Sequence, residues 1–106
     1  MAITSSVSPD GSTLTISIQG RFDFSSHQEF RGAYEGLAKA PDQYRIDMRE
    51  TTYLDSSALG MLLLLRDYAG GDKARIEILN CSTDVRKILT ISNFEQLFSI
   101  SGNAAS

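Results

Sequence analysis

The sequence holds one cysteine, Cys81, and one histidine, His27, far apart in the chain. Zinc needs several His, Cys or acidic ligands at suitable spacings, so no metal site is expected. A lone thiol cannot close an internal disulfide, which points to a reducing, cytoplasmic setting. Cys81 at a strand end reads as a small buried hydrophobe, and His27, at the start of a helix, as an ordinary surface residue. No long apolar run is present. The longest, Ala58 to Leu65, is interrupted by Gly60 and falls far short of the ~20 residues that span a bilayer. Met1 to Ser6 carries neither a positive leader nor an apolar core, so no export signal and no membrane partner are expected. There is no basic excess: 10 Lys and Arg face 13 Asp and Glu, for a net charge of −3. With a pI near 5.0, a nucleic-acid partner is not expected. Neither a Gly-x-Gly-x-x-Gly stretch nor a Walker loop occurs. Gly70-Gly71-Asp72-Lys73 reads as a helix stop and turn. With no assembled nucleophile, base and oxyanion hole, neither catalysis nor a cofactor is expected.

What is present is the composition of one soluble globular domain, with 106 residues of which 42% are hydrophobic and 22% charged. Ile3, Ser5 and Val7 lead into the turn cluster Ser8-Pro9-Asp10-Gly11-Ser12, after which Leu14, Ile16 and Ile18 alternate with Thr13, Thr15, Ser17 and Gln19, as in a hairpin. Gly20 ends the second strand. Phe30, Ala33, Tyr34, Leu37 and Ala38 form the stripe of an amphipathic helix. Ser25 or Ser26 can cap it, with Gln28 or Glu29 closing a capping box, and Pro41 stops it. Gly32 and Gly36 lie opposite the stripe and read as tolerated surface glycines, or else as room for a closely approaching partner. Tyr44, Ile46 and Met48 mark a third strand. A second helix runs from Asp55-Ser56-Ser57 to about Tyr68, and Gly70-Gly71 ends it. Arg75 to Leu79 is a fourth strand, Ser82 or Thr83 caps a third helix, and Phe94 to Ile100 is a last packed segment. The tail from about Ser101 to Ser106 is expected to fray. This alternation predicts an α/β fold of residues 1–106. Its sheet is mixed and mostly parallel, with four to five strands and helices mainly on one face.

The most informative stretch is Asp55-Ser56-Ser57-Ala58-Leu59-Gly60 with the helix behind it. On a wheel of 100° per residue, Ala58, Leu62, Leu65 and Ala69, flanked by Met61 and Tyr68, face the sheet. Ser56, Gly60, Leu63 and Asp67 project outward, with Leu64 at the edge, and Ser57 turns toward Met61 and Leu64. A hydroxyl heading such a stripe suits both docking and a regulatory phosphate. Phosphorylation adds roughly −1.5 to −2 charges. Helix amides favour that anion within the domain, but a partner lying flat over the helix start must desolvate or repel it. A loss of ~3 kcal/mol weakens a complex more than a hundredfold. Spacing alone leaves a plain N-cap as the other account of Ser56.

Asp55-Ser56-Ser57-Ala58-Leu59-Gly60 resembles the signature of STAS domains in bacterial anti-sigma factor antagonists. Gly20-Arg21-Phe22-Asp23 resembles the Gly-x-Leu-Asp landmark of that family, with Phe22 in place of Leu. Ile76 to Cys81 and Val85 to Phe94 are similar to its last strand and helix. The resemblance implies a partner switch. The unphosphorylated form binds an anti-sigma factor that is also a serine kinase and so frees a sigma factor. The kinase phosphorylates the serine after the motif aspartate, here Ser56 with Ser57 as its rival, and a metal-dependent serine phosphatase restores binding. Asp23, Asp55, Ser56, Ser57, Gly60 and Leu63 would form the contact surface of a protein expected to be monomeric when free. Ala58 stands where the family usually has Gly, which favours helix by ~1 kcal/mol. The family also contains subunits that bind the ATPase of a transport complex without serine phosphorylation; the tandem Ser56-Ser57 favours the switch.

Overall fold

The computed structural model describes residues 3–101. Strands β1 (Ile3–Val7) and β2 (Thr13–Ile18) form the antiparallel hairpin, turned by Gly11 at φ +77° and by Ser8 and Ser12 hydroxyls that donate to Asp10. These bonds lower the Asp10 carboxyl to a pKa of about 2. β2 continues past Gly20 (φ +74°) into β3 (Gly20–Phe22), which leads through a 3-10 turn (Phe24–Ser26) into α1 (His27–Glu35). Then follow β4 (Gln43–Asp47), β5 (Thr51–Leu54), α2 (Ser56–Tyr68), β6 (Ile76–Leu79), α3 (Thr83–Ile91) and β7 (Ser99–Ser101). The main sheet runs β1-β2-β4-β6-β7, and every pairing after the hairpin is parallel.

One face of this sheet is core. Leu14, Ile16, Ile18, Tyr44, Ile46, Ile76 and Ile78 are all buried there, together with Phe30, Ala58, Leu62, Leu65, Val85 and Leu89 from the helices. The other face is polar, with Thr15, Ser17, Asp47 and the Arg45–Glu77 pair at 3.4 Å. Alternating strands therefore did predict helices on one face, because a sheet buried on both sides would lose the polar half of each strand. Cys81 is fully buried, and burial pushes its thiol pKa up.

Several boundaries differ from the sequence expectation. The α1 helix stops at Glu35, with Gly36 at its C-cap, well before Pro41; glycine costs a helix ~1 kcal/mol relative to alanine, enough to end a short one. No side-chain cap bond comes from Ser26, so the capping box is not made. Its buried hydroxyl is turned to the Arg21 carbonyl instead, at 3.4 Å. Tyr68 is 53% exposed, and its ring meets Tyr34 of α1, 5.1 Å between centroids. Ser101 belongs to β7, paired with Leu79; the rest of the expected tail, 102–106, lies outside the described residues.

The largest addition is the short parallel ribbon of β3 and β5. It is formed by the same two chain segments that pair as β2 and β4, continued past a kink. The Gly20 N–H donates to the Glu50 carbonyl at 2.9 Å, and the buried Thr51 hydroxyl donates to the Ile18 carbonyl at 2.8 Å. Phe22 and Leu54 sit opposite each other in the ribbon, both buried.

Candidate functional site

The ribbon delivers two helix starts side by side. Phe22 pairs with Leu54, so Asp23 and Asp55, each the next residue, stand at the same edge. At the second corner Asp55 is the N-cap of α2. Its Oδ1 accepts the Ala58 N–H at 3.0 Å, and its carbonyl accepts the Leu59 N–H at 3.1 Å. The cap leaves Ser56 as the first helical residue, exposed. Within the described residues its hydroxyl makes no hydrogen bond.

At the first corner Asp23 caps the 3-10 turn. Its Oδ1 accepts the Ser25 N–H at 3.0 Å and the Ser25 hydroxyl at 2.5 Å. Its Oδ2 lies 3.4 Å from Arg21 Nε. The Ser25 hydroxyl, then its N–H and Arg21, hold the Asp23 carboxyl below the ordinary aspartate pKa. Phe24 stacks on His27, with ring centroids 5.8 Å apart.

The α2 ridge follows from its own packing. Ala58, Met61, Leu62 and Leu65 are buried, and this fixes the helix rotation. Leu63 and Leu64 are left 42% and 54% exposed. Ser57 and Gly60 are half-buried, and a Cβ added at Gly60 would meet nothing within 4 Å. Ser56, Gly60 and Leu63 thus follow one another along α2, Ser56 and Leu63 exposed and Gly60 half-buried, with half-buried Asp55 and Ser57 beside Ser56 and Asp23 at the leading end from the other strand. Arg21 and Tyr53 were missed by sequence reasoning. They pair across the ribbon, with the guanidinium carbon 4.8 Å from the ring centroid. Only the alternation of Arg21 with buried Phe22 hinted that Arg21 points outward.

A one-sided, mostly parallel sheet with an exposed serine at a capped helix start defines a small α/β module. The chain belongs to the STAS domain family: the family model described as "Mlab, STAS domain" matches residues 5–99. A STAS-domain containing protein of Pseudomonas aeruginosa is 67% identical over 101 residues, covering 95% of this chain and 100% of that protein. Among solved structures, the Bacillus cell fate determinant SpoIIAA in its phosphorylated form aligns with a TM-score of 0.71 at 19% identity, covering 94% of this chain and 91% of that one. In its unphosphorylated form SpoIIAA is described as an anti-sigma factor antagonist. A sulfate transporter family protein of Wolinella succinogenes aligns with a TM-score of 0.70 at 15% identity, covering 82% of this chain and 75% of that one. The fold is shared with both kinds of protein. Among the described residues no helix is long and apolar enough to cross a membrane.

Proposed function

We propose that this protein is an anti-sigma factor antagonist that works as a phosphorylation-controlled partner switch in the cytoplasm. Unphosphorylated, it binds an anti-sigma factor that is also a serine kinase, through Asp23, Asp55, Ser56, Ser57, Gly60 and Leu63, and so frees a sigma factor. The kinase phosphorylates Ser56 and the partner leaves; a metal-dependent serine phosphatase resets the switch. The chain itself catalyses nothing. The observation that carries this reading is the Ser56 hydroxyl, exposed and unbonded at the head of the α2 ridge. Ser57, the rival acceptor, is half-buried.

The dianion explains the switch physically. It sits beside Asp55 on a face that a partner would otherwise cover flat, so docking demands its desolvation. Ser56→Ala is expected to keep partner binding and to block phosphorylation, while Ser56→Asp weakens binding. Intact-mass spectra and pull-downs on both variants test this. A full phosphate on Ser56→Ala would move the site elsewhere.

A second reading is a subunit that binds a transport ATPase without serine phosphorylation; the fold is also shared with a sulfate transporter family protein. Co-purification with such an ATPase, with no phosphate on the chain in cells, would favour it over the switch.

A further inference from the structure

We infer that Arg21 is an intramolecular receiver for a phosphate on Ser56, and that engaging the phosphate draws it off Asp23 and Tyr53. The inference rests on Ser56 being the acceptor. Arg21 stands directly across the ribbon from Tyr53, and Ser56 follows Tyr53 by three residues. Paired strands lie ~4.8 Å apart and advance ~3.3 Å per residue. The two backbones are then on the order of 10 Å apart, a span that an extended arginine and a phosphoserine cover between them.

Arg21 is held loosely. Its Nε meets Asp23 Oδ2 at 3.4 Å, and its side chain is 69% exposed. An exposed pair of this kind holds weakly, and an exposed cation–π contact adds little more. A phosphomonoester dianion offers three acceptor oxygens to a planar fork that can bind two of them at once. It therefore outcompetes a carboxylate touched through one nitrogen. On α1, the basic side chains of Arg31 and His27 have partners of their own. Arg31 pairs with Glu35 at 2.7 Å, and His27 stacks on Phe24. The charged groups on the elements that meet here are Asp23 beside Arg21, Asp55 at the head of α2, and Asp84, Arg86 and Lys87 of α3, which packs against β5.

One group transfer would alter two parts of the docking surface. Ser56 gains a dianion, and Asp23 loses its cation. Tyr53 also uncovers a ring face. The response thus spreads from α2 to the β3 corner.

The test uses the full chain with phosphoserine encoded genetically at position 56, which makes it independent of any kinase. The second phosphate pKa, near 6 in a free phosphoserine, is titrated by phosphorus NMR with Arg21 intact and in Arg21→Gln and Arg21→Lys. A drop of about half a unit with Arg21 present is expected, an approximately threefold larger ratio of dianion to monoanion at a given pH. Lysine should fall between. The Arg21 δ protons, shielded by the Tyr53 ring, should also move downfield when residue 56 carries phosphate. Equal phosphate pKa values in all three proteins, or unmoved Arg21 resonances, would overturn the inference. Failure of the acceptor reading would look different: no phosphate on Ser56 of the unmodified chain in cells, with the encoded phosphoserine still sensing Arg21.

Discussion

The two corners at the end of the β3–β5 ribbon use the same parts and reach different ends. Each has a buried apolar residue, Phe22 or Leu54, then an aspartate cap, then serines and a helix. At the first, a 3-10 turn intervenes, and the aspartate takes both the Ser25 hydroxyl and its N–H. At the second, the aspartate reaches past the serines to the Ala58 N–H, and the Ser56 hydroxyl stays unbonded. The difference shows how a fold can spend one serine on its own structure and leave another available for chemistry. The choice lies in which N–H the aspartate caps.

The strongest way to break this comparison is to remove the support both corners share. Phe22 is fully buried, with its ring 5.0 Å from that of Phe30. Phe22→Ala should cost ~3–5 kcal/mol in urea unfolding, and both corners should lose hydrogen-exchange protection together. Protection lost at Asp23 alone would mean that the corners are independent.

The caps come next in size. Asp55→Ala should cost ~1 kcal/mol of stability, because it opens the first turn of a 13-residue helix. Asp23→Ala should cost less, since it frees a three-residue turn. Asp23 has a folded pKa below its unfolded value. Its contribution is therefore complete at neutral pH and down to the ordinary aspartate pKa of ~3.9, and is lost as pH falls through the lower folded value. Asp23→Asn should flatten that part of the acid limb of a thermal-melt series.

The smallest effect separates folding from docking. Gly60→Ala adds a methyl into open space and should raise stability by up to ~1 kcal/mol. The same methyl stands on the proposed contact ridge, so partner affinity in calorimetry should fall. A variant that gains stability and keeps full affinity would place Gly60 outside the interface.

The legibility of these features tracks the range of the forces behind them. The hairpin, α2 and β6 declare themselves through alternation or periodicity over a handful of neighbouring residues, and Asp55, Ser82 and Gly70-Gly71 mark helix ends by local chemistry. The ribbon was illegible. Gly20–Phe22 and Thr51–Leu54 are too short to show a period, and their pairing is decided by the parallel alignment of β2 with β4. For the same reason the exposed ridge of Ser56, Gly60 and Leu63 could be drawn on a wheel, but the Arg21–Tyr53 contact could not. The sequence over-extended α1 because Leu37 and Ala38 continue the apolar period, whereas the backbone turns at Gly36.

Fragment-ion mapping of phosphate on the chain isolated from its native cells, where the proposed kinase would act, is the most direct test of the difference between the corners. The account predicts a single phosphate on Ser56, absent from the fraction that co-purifies with the anti-sigma factor. A phosphate on Ser25, or one on Ser56 of chains still bound to that partner, would contradict it.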